Sequence, residues 1–272
     1  MGNFKSSCFS RIFGSFASKE FCPFMQKMIN KTYVKLMKVD LSDFSSAQEY
    51  STLNALFTRA LKTPRELESN EDEFISPCDA FISECGDIKE QTALQIKGHS
   101  YRVRSFLGDY VLKSQKDRLI EGKYLNFYLS PKDYHRYHAP LDMQVKKAVH
   151  IPGKLYPVNF TWLKKIPELF IENERVVLEC YTKENKLFYM VFVGALNVGK
   201  MQFIFDHNIQ TNVKSGKEQP YMYENLHLKK GDDLGRFEMG STIIMLFEKD
   251  MVELTCKRDS PIRFTDVVAK LT

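Results

Sequence analysis

Leu187-Phe-Tyr-Met-Val-Phe-Val-Gly-Ala-Leu196 is the longest apolar run in the chain, and reading it as a membrane span or as a buried strand decides the fold. A spanning helix needs ~20 predominantly apolar residues, and this run falls far short, so it is a buried strand. The same texture recurs beyond about residue 70, in 92–96, 124–129, 145–151, 175–182, 200–205 and 242–248. Gly, Pro, Asn and Asp punctuate these runs, which predicts a largely antiparallel, barrel-like or sandwich-like core. Upstream, Ser51 or Thr52 can cap a helix over Leu53-Asn-Ala-Leu-Phe-Thr-Arg-Ala-Leu61, with apolar positions 53, 56, 57, 60 and 61 on one face and Pro64 ending it. The fold class is therefore α+β, with N-terminal helices over 1–65 and a β-rich catalytic domain over 66–272.

Bulk properties narrow the function classes. A chain of 272 residues, 43% hydrophobic and 27% charged, can bury one sizeable core with a small appendage. Its net charge of +5 is dispersed rather than striped, which argues against nucleic acid and for an anionic membrane surface as partner. Six cysteines without a CxxC pair read as reduced thiols in a cytosolic compartment. Near the N-terminus Phe4, Phe9, Ile12, Phe13 and Phe16 recur at near-helical spacing, with Lys5, Arg11 and Lys19 among them. Arg11 interrupts what would otherwise be a signal-peptide apolar region. An amphipathic helix in the lipid headgroup zone and a helix packed on its own domain both fit this pattern.

Two segments carry chemistry. Leu234-Gly-Arg-Phe-Glu-Met-Gly-Ser-Thr242 contains the Gly240–Ser241 peptide, and Tyr128-Leu-Ser-Pro-Lys-Asp-Tyr-His-Arg-Tyr-His-Ala-Pro140 supplies His135 and His138 at a strand end or loop. A serine hydroxyl placed over the preceding carbonyl can attack it, turning the amide into an ester, and glycine permits the close approach. Loss of the Ser241 Cα proton then expels the Gly240 carboxylate. The dehydroalanine left behind tautomerises and hydrolyses, releasing ammonia and leaving a pyruvoyl group at the head of 241–272. That segment is too short to fold alone and must stay inserted in the larger chain.

Asp79, in Ile75-Ser-Pro-Cys-Asp-Ala-Phe-Ile82, can hold a histidine in the tautomer that takes a proton from serine, which makes Asp79, His138 and Ser241 a self-cleavage set. Singly, each member has a plainer reading: a turn for Asp79 and for Gly240–Ser241, a surface pair or half a metal site for the histidines. A zinc hydrolase using His135, His138 and a third ligand such as Asp79 therefore stays open. So does a non-catalytic lipid-binding module.

Taken together and in order, these segments resemble the phosphatidylserine decarboxylases, pyruvoyl-dependent and of prokaryotic type. The resemblance also runs through Leu53 to Arg65, Ser76-Pro-Cys-Asp79, Ile96-Lys-Gly98, Pro152-Gly-Lys-Leu-Tyr-Pro-Val-Asn159, Asn173-Glu-Arg175 and Val193-Gly-Ala-Leu-Asn-Val-Gly199, covering roughly 50–250. It implies a carboxy-lyase and zymogen that turns phosphatidylserine into phosphatidylethanolamine and CO₂ through an imine with a covalent pyruvoyl group made from Ser241. Asp79 and His138 would drive processing, and His135 would serve in decarboxylation. It further implies a peripheral protein on the cytoplasmic face of the inner membrane, large and small chains from one precursor, and a homodimer. Two positions depart from the family pattern: Ala80 stands where glycine is usual, and Met239 where leucine is common.

Overall fold

The structure is a computed structural model describing residues 14–67, 69–89, 94–96, 99–158, 162, 166, 168–195, 200–212, 216–238 and 241–272. Met239, Gly240 and the N-terminal positions Phe4, Phe9, Ile12 and Phe13 lie outside the described residues. Among the described residues the strands are β1 (Glu73–Ile75), β2 (Ala80–Asp87), β3 (Leu94–Ile96), β4 (His99–Tyr101), β5 (Lys123–Leu129), β6 (Arg136–His138), β7 (Met143–Ile151) and β8 (Arg175–Tyr181). They continue with β9 (Leu187–Val193), β10 (Met201–Phe203), β11 (Gln219–Leu228), β12 (Asp233–Phe237), β13 (Ser241–Phe247), β14 (Val252–Leu254), β15 (Ser260–Ile262) and β16 (Val267–Leu271). Every pairing between strands is antiparallel.

Eight strands form the main sheet in the order β11-β7-β8-β9-β13-β5-β2-β15. All residues of β8, β9 and β13 are buried, which is why β9 and the Ile243–Phe247 part of β13 read as continuous apolar runs rather than as alternating ones. Two three-stranded sheets, β1-β16-β14 and β10-β12-β6, accompany it. Phe74 of β1 packs edge-on against Phe188 and Phe247, with ring centroids 5.3 and 5.2 Å apart. Tyr137, Phe203 and Phe237 of β6, β10 and β12 gather around Phe192 at 4.5, 5.2 and 6.1 Å. Phe188 and Phe192 are four apart on β9 and share a face, so both small sheets lie on one side of the main sheet, a sandwich-like arrangement.

The helical region precedes the strands. A helix over Pro23–Met37 opens with proline in its first turn and ends at Lys38 in the left-handed region (φ 54°). The next begins where the sequence places it, with Thr52 Oγ1 accepting the Ala55 N–H at 2.9 Å. It stops at Phe57, well short of Leu61, and Pro64 is not its terminator. Thr58 Oγ1 turns back to the Asn54 carbonyl (2.8 Å), and Arg59 leaves the helix to bind the carbonyls of Lys132 and Asp133 at 2.8 and 3.2 Å. Tyr33 Oη donates to the Pro131 carbonyl at 2.7 Å, so two residues of the helical layer clamp the loop between β5 and β6.

Because β13 is paired on both sides, truncation within it leaves a cavity that neighbours cannot collapse into. Ile244, fully buried, is expected to lower the unfolding free energy by ~2–5 kcal/mol when changed to alanine, read from urea denaturation. A change under ~1 kcal/mol would contradict this packing.

Candidate active site

Ser241 is the first residue of β13 and stands opposite Leu129 of β5. On β13, side chains alternate faces, and Ile243, Met245 and Phe247 oppose Phe192, Met190 and Phe188. Ser241 shares their parity, so it belongs to the face that the β10-β12-β6 sheet covers. That sheet brings the histidines. The His135 carbonyl accepts the Phe237 N–H at 2.9 Å, and His138 is paired with Asp233. From the Leu129–Ser241 pair the chain leads through 130–134 to His135, where it meets Phe237. Only three residues lie between Phe237 and Ser241, a reach of at most ~14 Å over four residue steps.

Asp79 arrives by a different route. The Pro77 carbonyl accepts the His138 N–H at 2.8 Å, and the Ile75 N–H donates to the Pro140 carbonyl at 2.9 Å, so the segment leading to Asp79 runs beside His138. The Asp79 carboxylate is held by Arg65, whose Nη1 and Nη2 donate to Oδ1 and Oδ2 at 2.5 and 3.0 Å, and by the Phe264 N–H at 2.8 Å. Arg65 is itself shared with Asp43 at 2.9 Å. Ala80 takes up ordinary strand backbone opposite Ile262, and the absence of glycine there leaves the carboxylate fixed by these donors.

The two imidazoles differ in what claims them. His138 Nδ1 lies 2.9 Å from the Gly231 carbonyl and therefore carries the proton, leaving Nε2 to accept the Tyr134 O–H at 2.9 Å. Its ring stacks on Phe264 at 3.9 Å, so one residue both donates to Asp79 and covers His138. Burial lowers the His138 pKa, opposed by the Asp233 carboxylate, the Gly231 carbonyl and Asp79. His135 Nδ1 donates to the Asp133 carbonyl at 2.8 Å, and its ring sits 4.0 Å from that of Phe57. Its Nε2 is buried without a hydrogen-bond partner, and burial brings its pKa down to about 3. Ser241 Oγ is likewise buried, and neither atom has a partner among the described residues. The hydrogen bonds of Asp79, His138 and Ser241 thus do not form a continuous relay in this arrangement. The unclaimed lone pair belongs to His135, and the unclaimed hydroxyl to Ser241.

Sequence reasoning missed Arg65, Tyr134 and Phe264. It also missed Asp133, whose carboxylate is pinned by the Ser130 N–H and hydroxyl, both at 2.7 Å, and whose pKa burial raises. Among the described residues no three His, Cys, Asp or Glu side chains are grouped as metal ligands, and the Nδ1 atoms of His135 and His138 are committed to carbonyls.

A buried serine heads a central strand, on the face covered by the sheet that carries the two histidines, and such a buried hydroxyl suits a class of self-processing, serine-derived catalysts. Comparison with known proteins agrees: residues 53–270 match the family described as phosphatidylserine decarboxylase, and this chain belongs to that family. It is 46% identical over 265 residues to the phosphatidylserine decarboxylase proenzyme of Campylobacter jejuni, covering 96% of this chain and 97% of that one. The proenzyme of Helicobacter pylori strain Shi470 is 48% identical over 257 residues, 93% of this chain and 94% of the relative. That of Idiomarina loihiensis is 36% identical over 272 residues, 96% and 91%.

The depressed His135 pKa has a consequence for stability. An unfolded imidazole protonates near pH ~6.5, whereas His135 in the fold stays neutral down to about 3. Its contribution is therefore complete above ~6.5 and is lost as pH falls from there toward 3. In the uncut Ser241→Ala protein, the urea midpoint should be lower at pH 5 than at pH 7.5, and His135→Gln should flatten that slope. Equal midpoints at the two pH values would contradict the buried, neutral imidazole.

Proposed function

We propose that this chain cuts itself between Gly240 and Ser241 and then decarboxylates phosphatidylserine to phosphatidylethanolamine and carbon dioxide. The observation that carries the reading is the Ser241 hydroxyl, buried and without a partner at the head of a central strand, on the face that His135 and His138 approach. A buried hydroxyl left unbonded costs ~1–3 kcal/mol, and such groups persist where chemistry uses them. Here the use is attack on the Gly240 carbonyl. Ser241 Oγ gives up its proton as the new ester bond forms, and an imidazole lone pair on the facing sheet receives it. Asp79 and His138 are assigned to this step, with Phe264 stacking on the imidazole, the Gly231 carbonyl fixing its tautomer, and Nε2 exchanging the Tyr134 hydrogen bond for the serine proton. His135 is assigned to decarboxylation, its free Nε2 being the atom placed to hold or deliver a proton at the substrate carbon.

The environment around Ser241 suits a pyruvoyl group, since the α-carbon that would become its ketone belongs to a fully buried residue, and the hydroxyl oxygen that would leave with Gly240 has no hydrogen-bond partner among the described residues. Such a group supplies an electrophilic carbonyl that takes the substrate amine and drains electrons as carbon dioxide departs. The surrounding residues exclude water: Ser241 and His135 are both fully buried. Denaturing mass spectrometry should give two chains separated between 240 and 241, the smaller without a free amine and gaining mass with a carbonyl reagent. Ser241→Ala should give one chain. An uncut wild-type protein that still makes phosphatidylethanolamine would refute the mechanism.

A diacyl substrate exposes ~0.8 kcal/mol per CH₂ to water if it leaves the bilayer, so the site must approach the membrane. The Pro23–Met37 helix is suited to that. It buries Gln26, Asn30 and Tyr33, with Asn30 Nδ2 donating to the Ala47 and Tyr50 carbonyls at 2.9 Å each, and turns Phe24, Met28 and Leu36 outward at 81%, 55% and 71% exposure. Lys27, Lys31 and Lys35 are exposed beside them, and the helix contains no acid. Apolar side chains among lysines match an anionic lipid surface. The adjoining Phe16 is 43% exposed. No described helix is long and apolar enough to cross a membrane. Phe24→Ser with Met28→Ser should reduce co-sedimentation with phosphatidylglycerol vesicles while the 240/241 cut proceeds. Undiminished co-sedimentation would remove this helix from the docking surface.

A further inference from the structure

Beside His135 stands a cation that the reading above leaves without a task. Arg59 is 2% exposed, and its guanidinium lies against the Phe44 ring at 4.5 Å. Nη2 donates to the carbonyls of Lys132 and Asp133. The Asp133 carbonyl is the same oxygen that takes the His135 Nδ1 proton, so guanidinium and imidazole meet on one acceptor and their donors lie within about 6 Å of each other. Nε and Nη1 of Arg59 are buried with no partner. The neighbouring carboxylates are engaged elsewhere, Asp133 by Ser130 and Asp79 by Arg65 and Phe264. A buried guanidinium with unmade N–H donors on Nε and Nη1 can take an oxyanion oxygen as a charge-assisted hydrogen bond.

Phosphatidylserine offers two oxyanions. Its carboxylate loses its charge when it departs as carbon dioxide, so a cation clamped on it would stabilise the ground state more than the transition state and slow the reaction. Its phosphodiester keeps its charge throughout, and the phosphorus is three bonds from the serine α-carbon. A phosphodiester held at Arg59 therefore leaves the amine and the departing carboxylate beside His135. We propose that Arg59 binds the substrate phosphodiester through an unmade N–H of its guanidinium, with Nη2 holding the 132–133 backbone that positions His135. This assignment rests on the reading of the Ser241 and His135 region as the decarboxylation site.

The test uses the full-length, self-cut protein as wild type, Arg59→Met and Arg59→Lys. One readout is the KM for soluble dihexanoyl phosphatidylserine. The other is independent of turnover: reductive trapping of glycerophosphoethanolamine or of ethanolamine on the Ser241-derived carbonyl, read by the mass of the small chain. Wild type is expected to trap glycerophosphoethanolamine at least tenfold faster than ethanolamine. Arg59→Met should lose that preference and raise KM at least tenfold, with Arg59→Lys intermediate. Should Arg59→Met fail to fold or cut, Arg59→Lys, which keeps a donor for the backbone carbonyls, carries both measurements and is expected to lower the preference at least threefold. A preference unchanged by substitution, including one that survives a raised KM, overturns the phosphodiester assignment. A cut wild type with no preference overturns it alone, whereas a wild type that is never cut overturns the pyruvoyl reading along with it.

Discussion

The hydrogen-bonded seat of Ser241–Phe247 between β5 and β9 is the constraint on which the rest depends. Each residue of this strand is buried, and the ladder to β5 begins at Ser241 itself. A break on the N-terminal side of Ser241 therefore removes no rung from either ladder. The new chain end stays fixed by the strand behind it, so the sheet delivers the reactive residue before and after processing. Strand alternation then does the aiming, because Ser241 shares its face with Ile243 and hence with Phe192, against which the histidine-bearing sheet packs.

The segment downstream of the cut contributes more than its first residue. Phe264 lies on it, and Phe264 gives its N–H to Asp79 and its ring to His138. Arg263, next to it, pairs with Asp43 at 2.5 Å, linking the same segment to the helical layer. The two pieces of a processed chain would thus share one site, which explains why a short C-terminal segment can be severed without leaving. Among the polar atoms left unsatisfied in the interior of the described residues, three are His135 Nε2, Ser241 Oγ and Thr242 Oγ1. At ~1–3 kcal/mol each, such groups are a real debit against a net stability of ~5–15 kcal/mol. Two of the three belong to the residues assigned to chemistry.

Much of the fold is legible in the sequence wherever burial is two-sided. The runs read at 187–195 and 242–248 appear as β9 and β13 within two residues of their expected ends, because every side chain in them is buried and, apart from Ser241 and Thr242, nearly all are apolar. Gln219–Leu228 escaped notice because it is an edge strand bonded only to β7, and with one face in solvent it carries Glu224, Asn225 and His227. The Pro23–Met37 helix escaped for the opposite reason: it buries amides and exposes Phe24, inverting the pattern that periodicity looks for. In the site, Asp79, His135, His138 and Ser241 were named from their motifs. Arg65, Tyr134, Phe264 and Arg59 were not, since a backbone N–H, a stacked ring or a buried guanidinium acquires its role only from long-range contacts.

Hydrogen exchange on β13 reads how firmly the sheet holds Ser241. The amides of Ile243 to Phe247 should be among the slowest to exchange in the uncut Ser241→Ala protein, and equally slow in the cut wild type, because the sheet holds the strand in both. If cutting leaves these amides exchanging at the rate of an exposed chain end, the strand is not the fixed seat of the reactive residue and the account fails.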